Sequence, residues 1–256
     1  MNRIAITRKI SPNINACELT HVSRDPIDLE AARVQHEAYE SLLAELGCRV
    51  RSLPAEPDLP DSVFVEDTAV VLDEAAVITR PGAASRRPET DSIARALQKD
   101  RELLFLEAPG TLDGGDVLLM GKTLFVGLSS RSNQAGIEQL RELLAPFGYR
   151  VLETKVEGCL HLKTAATLCA PDTVLLNPDW LDSELFGAMR IIEVDPQEPF
   201  AANVLLVNRT VVAASSFPRT RQRLEDAGLA VAALDLSELA KAEGAVTCCS
   251  LVYSKI

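Results

Sequence analysis

The feature of this sequence that most constrains its fold is a pattern repeated every forty to fifty residues or so. In each copy, two short apolar runs separated by a turn are followed by a helical pattern and then by one more strand pattern. The predicted hairpins turn at Asp73-Glu74, Gly121-Lys122, Pro171-Asp172 and Asn208-Arg209. A repeat of this length is typical of a radial or solenoid array rather than of one open sheet.

The fifth copy is divided between the two ends of the sequence. The segment Arg3 to Arg8 reads as one strand, with a helix and the strand Cys48 to Leu53 after it, whereas Cys248 to Tyr253 is a strand pattern without a neighbouring partner. Pairing the two terminal strands would complete the fifth unit, close a ring and remove two exposed edges. We therefore predict an α/β fold, a five-bladed ββαβ propeller formed by residues 1–256 as one domain. A doubly wound open sheet is the alternative.

The first predicted helix, from Asp25 to Gly47, carries start and stop signals. Asp25 is predicted to cap the helix, Pro26 to occupy its first position, and Gly47 to end it. The predicted apolar stripe consists of Ile27, Ala31, Val34, Ala38, Leu42 and Leu46. His36 falls in this helix, where we expect it to be solvated at the surface.

Composition narrows the classes of function. A net charge of −11 and the lack of a long Lys/Arg run argue against binding nucleic acid. Charged residues interrupt every apolar run before it reaches membrane-spanning length, and the first residues do not resemble a signal peptide, so we expect a cytoplasmic protein with no membrane partner. The six cysteines are then expected to be free thiols.

The ring predicts where reactive side chains meet, because the segment leading into each hairpin should lie at the same end of every blade. These segments contain Asp61, Glu66, Asp67, Asp113, Asp116, His161 and Cys248. A thiolate at Cys248, a general base at His161 and an orienting carboxylate at Asp113 would make a catalytic triad. Each residue also has a structural reading, as a buried thiol, a core histidine or a capping aspartate in a glycine turn.

Charged residues near the same segments suggest a substrate. The adjacent carboxylates of Glu66 and Asp67 match the planar fork of a guanidinium group, with a solvated turn as the structural alternative. Arg86 and Arg131 each follow a hairpin and could hold a carboxylate. Acids at one end of a site and arginines at the other suit an arginine-like amino acid.

Five segments resemble those of one enzyme family. The segments are Phe64-Val65-Glu66-Asp67, Ile78-Thr79-Arg80-Pro81-Gly82, Leu112-Asp113-Gly114-Gly115-Asp116, Leu160-His161-Leu162-Lys163 and Thr247-Cys248-Cys249-Ser250. Together they resemble the dimethylarginine dimethylaminohydrolases of the guanidino-modifying pentein superfamily, and the likeness runs nearly from end to end. The resemblance implies a five-bladed ββαβ propeller, in agreement with the repeats.

The resemblance also implies a role for individual residues. Cys248 would be the nucleophile, His161 the general acid and base, and Asp113 the third member of the triad. Substrate-binding positions would be Leu19, Asp61, Phe64, Glu66, Asp67, Arg86, Arg131 and Ala242. Leu19 would lie in a flexible lid, and the backbone of Ala242 would contact the substrate. Cys249 is interpreted as a packing residue. The implied partner is a small guanidino amino acid, and no cofactor or metal is expected. The sequence is compatible with a homodimer but does not determine the oligomeric state.

The implied reaction is attack of the Cys248 thiolate on the guanidinium carbon of an Nω-methylated arginine, loss of methylamine or dimethylamine, and hydrolysis of the covalent intermediate to citrulline. Three alternatives remain open. The first is another guanidino substrate, as in arginine deiminase, agmatine deiminase or an amidinotransferase. The second is a non-catalytic binding module on the same propeller. The third is a zinc site formed by Cys159, His161, Cys248 and Cys249, whose spacings are not those of usual structural zinc motifs.

Overall fold

The computed structural model describes residues 3–255, in which short strands alternate with helices. The strands are β1 Arg3–Arg8, β2 Cys48–Leu53, β3 Ala69–Val71, β4 Ala75–Ile78, β5 Glu102–Phe105, β6 Val117–Met120, β7 Thr123–Leu128, β8 Arg150–Lys155, β9 Ala166–Ala170, β10 Thr173–Leu176, β11 Arg190–Glu193, β12 Leu205–Val207, β13 Thr210–Ala214, β14 Ala230–Leu234 and β15 Leu251–Ser254. The α-helices are α1 Leu29–Glu45, α2 Glu89–Leu97, α3 Gln134–Leu144, α4 Leu162–Ala165, α5 Pro218–Asp226 and α6 Ser237–Ala240.

The strands of residues 3–255 pair into five sheets of three, with the orders β15-β1-β2, β3-β4-β5, β6-β7-β8, β9-β10-β11 and β12-β13-β14. In every sheet the first pair is antiparallel and the second is parallel. The parallel partner follows the crossover that carries the helix or helical turn of the unit. Each sheet is therefore one ββαβ repeat, as the sequence predicts.

The two ends of the chain complete one sheet. Strand β15 lies antiparallel to β1, with Arg3 opposite Ser254 and Ile6 opposite Leu251. The first strands of successive sheets also lie side by side, β15 against β3, β6 against β9 and β9 against β12. This arrangement confirms the predicted propeller with paired terminal strands, and the open-sheet alternative is wrong.

Helix α1 begins later than the sequence predicts. Its cap is Asp28, whose carboxylate accepts hydrogen bonds from the backbone N–H groups of Glu30 and Ala31, so the prediction of Asp25 as cap and Pro26 as first residue is wrong. The reason is a competing contact: the N–H of Ile27 donates to the side chain of Asn15 at 2.8 Å, and Ile27 is buried in the core. That contact keeps the segment before Asp28 out of the helix.

The apolar stripe of α1 is also misplaced. The buried side chains are Ala32, Gln35, His36, Tyr39 and Leu43, and Val34 is 66% exposed. His36 is therefore a core residue, and the prediction of a solvated side chain is wrong. The helix packs this face against the first sheet and the segment after β14.

One strand boundary also differs from the predicted one. Cys248 and Cys249 lie in a turn before β15 and not in the strand itself. In the sheet β9-β10-β11, the crossover between β10 and β11 carries a 3-10 helix, Ser183–Phe186, in place of an α-helix. No helix within residues 3–255 combines the length and apolar character needed to cross a bilayer.

Candidate active site

The candidate site residues lie in the short turns that lead into the first strand of a sheet. Glu66 and Asp67 are in the 3-10 helix Val65–Thr68, which runs directly into β3. Asp113 immediately precedes the 3-10 helix Gly114–Asp116 before β6, and His161 immediately precedes α4 before β9, and neither side chain forms a capping hydrogen bond. These turns meet near the axis of the ring because the first strands of the sheets are neighbours. Residues distant in sequence are thereby placed in one cavity.

Two connected spaces share the candidate catalytic residues. A chamber of about 220 Å³ and a smaller pocket of about 20 Å³ are both lined by Leu160, His161, Glu243 and Cys248. The small pocket is further lined by Asp61, Phe64, Asp67, Arg86, Asp113, Arg131 and Ala242. Cys248 is only partly buried, whereas the five other cysteines are buried. Cys159 also lines the larger chamber, but among residues 3–255 Cys248 is the cysteine that lines both spaces.

The imidazole of His161 is enclosed by carboxylates. Its Nε2 lies 3.1 Å from Oδ2 of Asp113, and its Nδ1 lies 3.9 Å from Oδ1 of Asp67. A Cβ atom on Gly115 would come within 2.6 Å of Nδ1, so only glycine allows the ring to approach this turn. Burial alone would lower the pKa of His161, but the negative charges of Asp67, Asp113 and Asp116 outweigh it and raise the pKa to about 9. The ring is therefore a cation at neutral pH and can donate a proton.

Asp113 is held in place from both sides. Its Oδ1 accepts a hydrogen bond from the backbone N–H of Gly82 at 2.9 Å, and its own N–H donates to Oγ of Ser132 at 3.1 Å. Oδ2 is left to face His161. Gly82 is required here for a second reason, since a Cβ atom on it would lie 2.3 Å from the carbonyl oxygen of Arg131.

Asp116, from the same predicted cluster, lies beneath the site. Its carboxylate accepts hydrogen bonds from the hydroxyls of Ser129 and Ser132 and from the N–H of Leu162, at 2.6, 2.6 and 2.9 Å. Burial raises the pKa of Asp116 to about 6, although these bonds and the nearby His161 favour its charge. Its contacts are those of a residue that fixes the turn before β9.

The thiol of Cys248 lies in an environment that favours its neutral form. Burial, followed by the negative charges of Glu66 and Asp67, raises the pKa of Cys248 well above its usual value. The backbone carbonyl of Cys248 accepts a hydrogen bond from the N–H of Glu66 at 3.1 Å, which ties this turn to the one before β3. A cation bound among the acids would reverse part of this effect by offsetting their charge.

Asp67 and Arg86 form a buried ion pair. Nη1 of Arg86 lies 2.6 Å from Oδ2 of Asp67, and the same guanidinium binds Glu89 through Nε and Nη2. Burial would raise the pKa of Asp67, yet the charges of His161 and Arg86 lower it. Burial also raises the pKa of Glu89 to about 7 against the pull of Arg86. Arg86 thus serves as counter-ion to two acids, and its predicted role in holding a substrate carboxylate stays a prediction.

The remaining predicted substrate residues surround the small pocket. Asp61 is buried, and burial raises its pKa although Arg86 opposes the shift. Nη2 of Arg131 donates to Oγ1 of Thr20 at 2.9 Å. Phe64 and Ala242 are buried in the wall of the pocket. Leu19 packs against the apolar core that contains Cys17, Tyr39 and Leu43. It lines neither space, so its predicted contact with substrate stays a prediction.

Glu66 belongs to a network of polar groups around the axis of the propeller, called here the axial network. Its carboxylate lies 2.6 Å from Nζ of Lys163 and accepts a hydrogen bond from Oγ1 of Thr247, also at 2.6 Å. Lys163 also donates to the carbonyl of Gly114 at 3.2 Å. The amide of Asn203 donates to Oγ1 of Thr247 at 3.0 Å and accepts from its N–H at 2.9 Å. Each of the five repeats therefore contributes one residue to the axial network.

Apart from Glu66, the members of this axial network are not among the predicted site residues. Position before the first strand of a repeat, which indicates His161 and Cys248, also indicates Asn203 in the fourth repeat. Lys163 lies in a segment already singled out for its histidine. Both residues fit this pattern, but their partners come from other repeats and only the folded structure shows them.

The positions of the possible ligand atoms show which side chains are close enough together to bind one metal ion. Among residues 3–255, the group whose ligand atoms lie within 4.8 Å of one another is Asp67, Asp113 and His161. The thiol of Cys159 is directed at the carbonyl of His161, and that of Cys249 at the carbonyl of Ala245. The four-residue zinc site considered from the sequence is therefore not assembled.

Fold and site together define a class: α/β propellers of five ββαβ units in which a cysteine, a histidine and several acids from different repeats share one cavity. Comparison with known proteins places the chain within that class. A sequence profile described as "N,N dimethylarginine dimethylhydrolase, eukaryotic" matches residues 6–252. The chain belongs to the dimethylarginine dimethylaminohydrolase family.

Individual relatives agree over nearly their whole length. The chain is 40% identical to N(G),N(G)-dimethylarginine dimethylaminohydrolase of Streptomyces coelicolor, over 96% of this chain and 95% of that protein. It superposes on a Cys-to-Ser mutant of the Pseudomonas aeruginosa enzyme complexed with citrulline, with a TM-score of 0.95, 33% identity and coverage of 99% and 100%. A dimethylarginine dimethylaminohydrolase His-to-Gly variant, in adduct with S-methyl-L-thiocitrulline, gives a TM-score of 0.93 at 32% identity, with coverage of 99% and 100%.

Proposed function

We propose that this protein hydrolyses Nω-methylated arginines, asymmetric dimethylarginine and monomethylarginine, to citrulline and dimethylamine or methylamine. One observation carries the proposal: in a member of this family, the half-buried thiol of Cys248 and the imidazole of His161 line the same small pocket as Asp61, Asp67 and Arg131. A thiol nucleophile, a protonated acid and carboxylates for a guanidinium are the groups that this reaction needs.

Substrate binding prepares the nucleophile. The acids around the pocket raise the pKa of Cys248 in the free protein, and a guanidinium bound among them neutralises part of their field. The fraction of thiolate then rises when the cation is in place, and the proton that the thiol loses passes to solvent because His161 is already protonated. The thiol is kept as an unreactive neutral group until then, which links ionisation of Cys248 to binding.

The first chemical step forms the sulfur–carbon bond. The Cys248 thiolate adds to the guanidinium carbon, and the electrons of one carbon–nitrogen double bond move to nitrogen. His161, a cation because its pKa is about 9, gives its proton to the methylated nitrogen, and the carbon–nitrogen bond breaks as the amine departs. A thiouronium covalently bound to Cys248 remains, and His161 is now neutral.

The second step restores the enzyme. Neutral His161 takes a proton from a water molecule that attacks the same carbon, and the carbon–sulfur bond breaks to return the thiolate. Loss of the remaining proton leaves the ureido group of citrulline. Asp113, fixed by Gly82, holds the imidazole in one orientation through both transfers.

The variant Cys248→Ser tests this assignment. A serine hydroxyl is far less acidic than a thiol, so we expect citrulline formation to fall by about 10⁴-fold or more while substrate still binds. The matched control is Cys249→Ala at the neighbouring buried thiol, which should keep turnover within about tenfold of the wild type because Cys249 only packs. Calorimetry of substrate binding and a colorimetric citrulline assay measure the two effects.

Product analysis separates this reaction from its alternatives. Dimethylamine released from asymmetric dimethylarginine supports the proposal, and ammonia released from arginine with no dimethylamine would assign a deiminase instead. Substantial turnover by Cys248→Ser would remove that residue from the mechanism. The cytoplasmic location stays a prediction, and the sequence is compatible with a homodimer.

A further inference from the structure

The segment of residues 18–26, called here the entrance loop, covers the candidate site. Glu18 lines the small pocket, and His21 and Val22 line the larger chamber. Residues 20–26 are all exposed, whereas Cys17 and Ile27 on either side are buried in the core. The loop is thus anchored at both ends and lies over the site with little apolar burial of its own.

Side chains, not backbone pairing, hold the entrance loop. Within residues 3–255, no hydrogen bond joins a backbone group of residues 18–26 to another backbone group. Arg24 and Glu243 each make three such contacts: Arg24 binds Asn15 and Cys17 before the loop, and Glu243 binds the loop itself. Its carboxylate accepts hydrogen bonds from three successive N–H groups, those of Thr20, His21 and Val22, at 2.8, 2.6 and 3.1 Å. Hydrogen bonds to an ionised acceptor are the stronger kind.

The backbone at Glu243 is unusual for its residue type. Helix α6 ends in a Schellman motif, in which the N–H of Glu243 donates to the carbonyl of Ala240 and that of Gly244 to Leu239, both at 3.0 Å. The residue in the left-handed position of this motif is Glu243, with φ of 57°, where glycine is the usual residue. A side chain kept at a strained position indicates that the side chain has a use there.

The entrance loop also contacts groups assigned to substrate binding. The N–H of Glu18 lies 3.2 Å from both carboxylate oxygens of Asp61, and Thr20 accepts a hydrogen bond from Arg131. Movement of the loop therefore changes the surroundings of Asp61 and Arg131. Glu243 itself lines both spaces beside Cys248, so the clamp and the site are in contact.

We propose that Glu243 is a positioning residue whose carboxylate clamps the entrance loop over the active site through the N–H groups of residues 20–22. The clamp sets how much of the time the loop is closed. Its effect on substrate affinity rests on the proposed function, whereas its effect on the loop does not. A closed loop shields the small pocket and keeps bound substrate from leaving.

Hydrogen exchange of the full-length protein without substrate tests the clamp directly. In Glu243→Gly, which removes the carboxylate and relieves the left-handed strain, the amides of residues 20–22 should exchange about tenfold faster or more. Glu243→Ala should show the same acceleration with the strain retained. The matched control is Asp73→Asn, which removes the same charge from an exposed side chain in the turn between β3 and β4, where the side chain makes no hydrogen bond or ion pair within residues 3–255.

The variants Glu243→Gly and Glu243→Ala distinguish a role of the carboxylate in holding the loop from a role of the residue in ending α6. If Glu243 served only to end α6, Glu243→Gly would leave exchange at residues 20–22 at the wild-type rate, and the proposal would be overturned. Equal acceleration in Asp73→Asn would overturn it as well, because net charge would then be the cause. Acceleration in both Glu243 variants and not in the control supports it.

Kinetics test the link to the reaction. In Glu243→Gly, the KM for asymmetric dimethylarginine should rise about tenfold while kcat changes less than about threefold, because a less populated closed state weakens binding and leaves Cys248 and His161 unchanged. A faster-exchanging loop with an unchanged KM would overturn the link to substrate. If the wild-type protein itself does not hydrolyse methylated arginine, the proposed function fails, and the exchange data still decide on the clamp.

Discussion

Helix α1 and the turn before α4 each bury a histidine, and the two histidines differ in charge. His36 is 1% exposed and His161 is 5% exposed, so burial is nearly equal. Burial lowers the pKa of His36 to about 4, with Glu40 opposing the shift and Lys9 adding to it. Within residues 3–255, Nε2 of His36 has no hydrogen-bond partner. His161 has three acids around it and a pKa of about 9.

The difference shows which physical factor decides protonation in this protein. Removal from water acts on both rings in the same direction, against the charged form. The carboxylates reverse the outcome at His161 because they come from two other repeats and converge on one ring. Helix α1 brings no such set to His36. Of these two histidines, the one at the axis of the propeller, where the repeats meet, is the proton donor.

The largest difference between the two histidines should be in catalysis. His161→Gly is expected to lower kcat by about 10²- to 10⁴-fold, the usual contribution of a general acid and base. His36→Gln should leave kcat within about twofold of the wild type, because His36 contacts neither space of the site. Steady-state citrulline production at saturating substrate measures both. Comparable losses in the two variants would contradict the division of roles.

A smaller difference is expected in the pH dependence of stability. The folded-state pKa of His36 lies below its unfolded value of about 6.5, so the folded protein resists protonation and the contribution is complete above pH 6.5. It is lost as the pH falls from 6.5 towards 4, by about 2–3 kcal/mol. His36→Leu should flatten this part of the curve relative to the wild type.

Urea unfolding at pH 7 and at pH 4.5 measures the effect on His36→Leu. The expected sign is opposite for His161, whose raised pKa stabilises the fold below pH 6.5 and loses that contribution as the pH rises through about 9. An unchanged slope between pH 6.5 and 4 in His36→Leu would show that His36 is not buried as a neutral ring.

The smallest expected effect is a change in the pKa of His161 when one of the acids around it, Asp113, loses its charge. Asp113→Asn removes the charge 3.1 Å from Nε2 and should lower the pKa of His161, since Asp67 and Asp116 alone then oppose burial. Asp113→Glu keeps the charge and should keep the pKa raised. Imidazole titration by NMR measures the shift, and an unchanged pKa in Asp113→Asn would assign the effect to Asp67 and Asp116.

The sequence predicts the repeats well because local patterns carry them. Alternating apolar runs, turn residues and helix stops define each unit, and pairing the ends follows from an unmatched strand at each terminus. The same reasoning placed His161, Asp113 and Cys248 in equivalent turns, and the structure brings them into one cavity. What it could not provide was the register of α1, where the side chain of Asn15 takes the N–H of Ile27.

The pairing of charges was also beyond the sequence. Arg86 reads as a free cation in its loop, yet Asp67 and Glu89 surround it in the fold. Glu66 reads as one of two guanidinium ligands, yet Lys163 and Thr247 bind both of its oxygens. Such partners come from other repeats, and neither spacing nor composition identifies them. The clamp at Glu243 is of the same kind, because its partners lie more than two hundred residues away.

The pairing of β1 with β15 has a consequence for the order in which the molecule is made. During synthesis, thirteen strands of the described chain emerge between β1 and β15, so β1 has one edge unmatched for most of that time. Contacts between such distant segments form slowly, because the long intervening chain must first be ordered. The turn carrying Cys248 is fixed only when β15 docks. The nascent polypeptide should therefore have no catalytic activity until β15 is in place. Because the edge of β1 stays unpaired during that interval, the polypeptide then needs protection from aggregation.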